Sequence, residues 1–445
     1  MEGPKIMKKI FLILLISLIQ YLNAQIIVDN NNAKSESVGK TKKIRFLAFA
    51  HDEAGKFIFK SPKNIIAIDD GSFMVIDDSQ LLKFGNDGKF LKLIVRRGEG
   101  PAEATYLNQI FKRKNDLVIN TGFMSKLMFF DFNGKLEKEF RVPKIALAKG
   151  LSTADSTFTI FGYNNKSNLL VITSMPWENK NHEKKQERKY IVMELLENKE
   201  WKKLSLEIPI EAFTFETPIG KIKLAALQIT SASDDKYIYF CNTDRYEIKQ
   251  YNVQEDKIEA LWRRRYKTVE IPENDREKYD FGSTFHGGKK GKTFRFKPPL
   301  REYFPDIQRI FTVDDHLWII TSTVDKNKGV LVDVFDKKGN YLDNFYILLP
   351  YNVNDSEIYR NEIWLDSSTI ILRETDEDSN YKIVKYAIEN ENRYLLKDCH
   401  FYPHKKMPSE IRCLICRSCL PTFLFFFLNL NLFSLRVLHV SLWLK

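Results

Sequence analysis

The chain has 445 residues, of which 44% are hydrophobic, 13% aromatic and 29% charged. That apolar content excludes a disordered or collagen-like polymer, and five cysteines over this length exclude a small disulfide-stapled scaffold. Of the formal charge of +11, residues 1–24 hold +2 and residues 411–445 hold +4, so the remaining +5 excludes a nucleic-acid-binding stripe.

Residues 1–24 read as a signal peptide. Met7-Lys8-Lys9 supplies a positive start, Ile10 to Ile19 a short apolar core, and Ala24 a small residue before Gln25. No cysteine follows the apolar core, so lipid attachment is not expected. The protein is expected to be exported, periplasmic or extracellular, and not a lipoprotein. Residues 25–59 are expected to form a lead-in and a closing strand.

Residues 60–400 carry a repeat. The first copy is Phe73 to Asp77, then Gln80 to Phe84, then Asp87-Gly88-Lys89-Phe90. The second is Asp116 to Asn120, Lys126 to Phe130 and Asn133-Gly134-Lys135-Leu136. A third unit follows at Thr157 to Phe161 and Asn168 to Ile172, and a fourth at Tyr237 to Cys241 and Tyr246 to Tyr251. The fifth runs from His316 to Ile320, Leu331 to Phe335 and Lys338-Gly339-Asn340-Tyr341; the sixth is Thr369 to Arg373 and Tyr381 to Tyr386. In the first, second and fifth, Gly stands four residues after Phe. The runs are short, rich in β-branched and aromatic residues, and separated by Asp-Gly, Asn-Gly and Lys-Gly turns, which is hairpin chemistry. No sustained helical periodicity is present. Units of about 45 residues predict an all-β fold, a six-bladed β-propeller of four-stranded antiparallel blades. A β-sandwich is the rival that short strands with regular turns would also suit. The surplus length is assigned to insertions at Asn179–Lys189 and Thr268–Pro299.

Between the first two copies lies Val95-Arg96-Arg97-Gly98-Glu99-Gly100-Pro101-Ala102-Glu103, preceded by Asn86-Asp87-Gly88-Lys89-Phe90 and followed by Asn108-Gln109-Ile110. This resembles a family of secreted bacterial six-bladed β-propellers, similar in pattern to NHL-repeat and TolB-like propellers, which show a GxGPGE segment here. Ala102 replaces the glycine that follows the family's proline, which implies a tighter or displaced loop. Many members are lipoproteins, but this chain lacks the cysteine, so anchoring is not carried over.

The resemblance leaves function open. The protein is read as a binding or interaction module for an anionic saccharide or an envelope protein, with no nucleic-acid partner. Arg96 and Arg97, beside glycines that let backbone amides approach a ligand, suit an anionic group; Glu99 and Asn108 belong to the same candidate site. The competing reading pairs the arginines with Glu99 and Glu103 to pin the turn. A second candidate is the basic, aromatic-interleaved stretch His286–Lys297, with Lys289, Lys290 and Arg295, to which Arg263-Arg264-Arg265 would add charge if both share a face. No catalytic residue is assigned and no cofactor is called for. The alternative is a lactonase- or lyase-type enzyme that uses calcium at the central channel, where Asn108, Asn120, Asp155 and Asn242 could supply oxygens.

The end of the chain, 401–445, is expected to lie outside the domain. It is apolar and lacks acidic residues after Glu410. Cys413, Cys416 and Cys419 have metal-site spacing but apolar neighbours, and a membrane role would require residues 420–443 to act as an anchor.

Overall fold

A computed structural model describes residues 26–31, 40–121, 126–141, 158–164, 166, 168–174, 188–210, 212–217, 220–225, 229–279, 284–286, 293–295, 301–349 and 362–389. The chain divides into two units, Met1–Ile388 and Glu389–Lys445. The segment expected to be a signal peptide, Lys289, Lys290, Asp155 and the cysteine-containing tail lie outside the described residues.

The first unit is a six-bladed β-propeller. Blade 1 runs from its innermost strand outward as Pro62–Ala67, Phe73–Asp77, Gln80–Phe84 and Phe90–Val95. Blade 2 is Gln109–Lys112, Leu117–Asn120, Lys126–Phe130 and Leu136–Arg141; blade 3 is Phe158–Tyr163, Leu169–Ser174, Arg188–Leu195 and Trp201–Ile210. Blade 4 is Ile229–Ser233, Tyr237–Asn242, Glu247–Asn252 and Lys257–Arg263; blade 5 is Ile307–Val313, His316–Asp325, Gly329–Asp336 and Tyr341–Ile347. In blade 6, Ile363–Leu365, Thr369–Thr375 and Tyr381–Ile388 are followed outward by Ile44–Phe49, which pairs antiparallel with the third strand. The N-terminal segment also lays Ile26–Asp29 parallel to the outer strand of blade 4 and Thr41–Lys42 parallel to that of blade 5.

The sequence pattern explains why each blade is a meander packed on both faces. In Phe73–Asp77 every residue is buried. Phe73 and Val75 join the cluster shared with blade 6, while Met74 and Ile76 join the cluster shared with blade 2. Successive strand side chains point to opposite faces, so a continuous apolar run is what a sheet sandwiched between two neighbours requires. Among the described residues, six such clusters fill the six interfaces between adjacent blades.

The repeated Phe and Gly occupy equivalent places. Phe84, Phe130 and Phe335 are all buried near the end of a third strand, each facing the preceding blade. Four residues on, Gly88, Gly134 and Gly339 have φ of 85°, 78° and 87°. Each turn presses against the outer strand of the preceding blade: a Cβ there would stand 2.1 Å from the Phe49 carbonyl oxygen, 2.1 Å from Ile94 Cδ1, or 2.3 Å from Trp262 Nε1.

Two insertions depart from expectation. Arg188 and Lys189, assigned to a solvated loop or hairpin tip, belong to the third strand of blade 3, where Lys189 pairs with Pro209. Before blade 4 an unforeseen hairpin, Ala212–Thr217 with Gly220–Ala225, extends the connection. The excursion after blade 4 holds a 3-10 turn, Glu273–Tyr279, and a hairpin of Thr284–His286 with Thr293–Arg295.

Candidate functional site

The loop from the outer strand of blade 1 to the inner strand of blade 2 closes on itself. Arg96 and Glu103 form a parallel bridge, with the Ala104 amide donating to the Arg96 carbonyl at 2.9 Å and the Gly98 amide to the Ala104 carbonyl at 3.2 Å. The Glu103 carboxylate folds into this loop and accepts the Gly100 amide at 2.9 Å. A Cβ on Gly98 or Gly100 would lie 2.1 or 2.9 Å from Glu103 Oε2. The glycines therefore make room for the protein's own anion rather than an incoming one.

Lys126 completes the fastening. Its ammonium donates to the carbonyls of Gly100 (3.1 Å) and Glu103 (3.0 Å) and pairs with Glu139 at 2.7 Å, and Glu139 accepts the Ala102 amide at 3.2 Å. Sequence reasoning missed this lysine, although a charged residue opening the apolar run Lys126–Phe130 was the available signal. The arginine clamp does not form. Among the described residues neither Arg96 nor Arg97 has an ion-pair partner, and both are exposed, as is Glu99. On the same loop, Tyr106 is exposed, with Lys63 Nζ 4.6 Å from its ring centre and donating to its hydroxyl at 3.3 Å.

Asn108 has a structural task. Its amide donates to the Asn120 carbonyl at 2.9 Å, and its carbonyl accepts Asn64 Nδ2 at 3.1 Å. Side chains of the innermost strands stitch neighbouring blades in this way elsewhere. Gln109 brackets Ile160, accepting its amide at 2.9 Å and donating to its carbonyl at 3.2 Å; Ser231 donates to Phe161 at 3.0 Å and Thr312 to Ser233 at 3.3 Å. Asn120 is buried, and the Asn242 side chain accepts the Asp244 amide at 3.1 Å within a turn. Among the described residues, no three His, Cys, Asp or Glu side chains are grouped as a metal site.

The second candidate separates. Arg295 ends the short hairpin strand Thr293–Arg295. Arg264 is not part of a surface patch: it is fully buried between blades 4 and 5 and paired with Asp333. Tyr246 and Tyr341 donate their hydroxyls to the same carboxylate at 2.6 and 3.2 Å. Arg263 pairs with Glu247 at 3.1 Å, so of the three arginines only Arg265 adds exposed, unneutralised charge. Nearby, Asp306 accepts the Tyr246 amide at 3.1 Å while its Oδ1 is buried without a partner. Burial, with Asp244 close by, pushes its carboxyl up to about 6.

The fold is a propeller whose ring is closed by its own N-terminal segment. The chain belongs to the DUF5128 family, a 6-bladed beta-propeller family whose model matches residues 22–281. No curated protein matches the chain. It is similar to a candidate exported protein from Bacteroides fragilis at 12% identity, covering 82% of this chain and 100% of that one, with a TM-score of 0.42. A DUF4221 member from Bacteroides vulgatus shares 9% identity over 79% of this chain and 99% of that one, also at 0.42. A gluconolactonase from Xanthomonas campestris shares 10% over 80% and 99%, at 0.36. Among the described residues, no helix is long and apolar enough to cross a membrane.

Proposed function

We propose that the protein is an exported binding module that engages an anionic group through Arg96 and Arg97. One observation carries this reading: two exposed guanidiniums without carboxylate partners stand on a loop already fixed by Glu103, Lys126 and Glu139. A guanidinium is rigid, always charged and matched to carboxylate or phosphate oxygens, and a preformed loop lowers the ordering cost of binding. The export part rests on the charged start and apolar core of residues 7–24.

The test is titration calorimetry of Arg96→Ala and Arg97→Ala against acidic ligands, with melting temperatures measured alongside. Each change should weaken binding by about 1.5–3 kcal/mol, the range for a hydrogen bond to a charged group, and leave the melting temperature unaltered. A destabilised variant that binds normally would return the arginines to a structural role. Arg97→Lys should restore binding only in part, because an ammonium keeps the charge and loses the fork.

A further inference from the structure

We infer that Asp306 makes the root of the long excursion after blade 4 a pH-responsive fastening, firmer in acid than at neutral pH. The excursion leaves blade 4 at Arg264 and returns to blade 5 at Asp306. Its two ends zip together: the Phe304 amide donates to the Val269 carbonyl at 2.9 Å and the Ile271 amide to the Glu302 carbonyl at 2.8 Å, around an antiparallel bridge between Glu270 and Tyr303. The turn between the second and third strands of blade 4 holds the returning end. Ile307 donates its amide to the Thr243 carbonyl at 3.1 Å, Arg301 pairs with Asp244 at 2.9 Å, and the Tyr246 amide donates to the Asp306 carboxylate at 3.1 Å. Asp306 is thus the side chain at which excursion, turn and blade 5 meet.

This carboxyl is poorly supported as an anion. It is buried, the Tyr246 amide is its one donor among the described residues, and its Oδ1 has none. The ionisable groups brought to the joint supply no counter-charge. Blade 4 brings Cys241 and Tyr246, both held neutral by burial, and Asp244, of like sign. The excursion brings Tyr266, whose hydroxyl meets Thr323, and two arginines, of which Arg264 pairs with Asp333 and Arg301 with Asp244. Blade 5 adds Asp333, engaged by Arg264 and by the hydroxyls of Tyr246 and Tyr341, and the uncharged Gln308 and Ser322. Burial, and then Asp244, move the Asp306 carboxyl from the ordinary 3.8 to about 6. Because the folded value is the higher one, protonation stabilises the joint. The gain is complete below 3.8 and is lost as the pH rises through about 6.

Hydrogen exchange of the full chain, compared at about pH 5 and about pH 7.5 and corrected for the intrinsic rate at each, tests the fastening. The amides of Tyr246, Ile271, Phe304 and Ile307 should be about tenfold better protected at the lower pH, the ratio that a carboxyl moved from 3.8 to about 6 gives over that interval. Asp306→Asn, neutral at both pH values, should erase the difference. A second reading needs no change at Asp306: in protein carrying nitrogen-15 tyrosine, the Tyr246 amide, assigned through Tyr246→Phe, should shift with a midpoint near 6. Equal protection at the two pH values, a difference that survives Asp306→Asn, or a Tyr246 midpoint in the ordinary carboxyl range would each overturn the inference. If Asp306→Asn does not fold, wild-type exchange and the Tyr246 midpoint decide it together.

Discussion

Ala102 sits at φ 55°, in the left-handed region where a side chain is costly and glycine is not. It is also the position at which the GxGPGE pattern has the glycine that follows its proline. The Ala102 amide donates to Glu139 at 3.2 Å. The strain at this residue is held in place by Lys126 and Glu139. Ala102→Gly should raise stability by about 0.5–1 kcal/mol, the left-handed penalty less the added freedom of the unfolded chain. Chemical denaturation measures it directly, and an unchanged or lower midpoint would show that the loop carries no such strain. The same scale explains the hidden arginine. Three consecutive arginines look alike in sequence, but Arg264, just past the end of the outer strand, enters the blade 4–5 interface while Arg263 and Arg265 stay exposed.

Each third strand divides its side chains between two neighbours. The large apolar residue near its end, aromatic in every blade but the third, faces the preceding blade, while the residue before it can reach the following one. Lys83 donates to the Phe132 carbonyl at 2.9 Å, Lys385 to that of Gly71 at 2.8 Å, and Gln250 to that of Lys337 at 3.1 Å. Lys-Phe, Lys-Tyr and Gln-Tyr at these positions are thus a polar tie beside an apolar anchor. Burial lowers the Lys385 ammonium below its ordinary range, so this tie is made at a desolvation cost. The glycine turn adds the third contact, and at Gly88 that contact is with the backbone of the closing strand. Gly88→Ala should cost at least about 2 kcal/mol, from a positive φ and a Cβ driven into a carbonyl that cannot move aside. A melting temperature within a degree of wild type would contradict the close approach of Phe49 and blade 1.

At the level of the whole molecule, the closing strand Ile44–Phe49 joins the beginning of the domain to its last blade, so no blade is left without neighbours. The segment leading to it lies along the outside of blades 4 and 5. Signal cleavage after Ala24 would leave this strap whole, since its first paired residue is Ile26. Protein recovered from its host should therefore begin at or near Gln25 and carry no lipid, as read by N-terminal sequencing and intact mass. An unprocessed N-terminus on cytoplasmic protein would refute export.

The amino-acid sequence by itself determined the class of fold, because short apolar runs, Phe-to-Gly spacing and hairpin turns are local signals that every blade must repeat. It also located the Arg96–Glu103 loop, since glycines and charges concentrated between two repeats mark a connection. Only the tertiary structure decided what those residues do. The acid that fills the glycine loop is Glu103, and the cation that pins it comes from Lys126 on the next blade, more than twenty residues away. Which of several like charges is buried, paired or left to solvent depends on the neighbour each meets across a blade interface, and no local pattern records that neighbour.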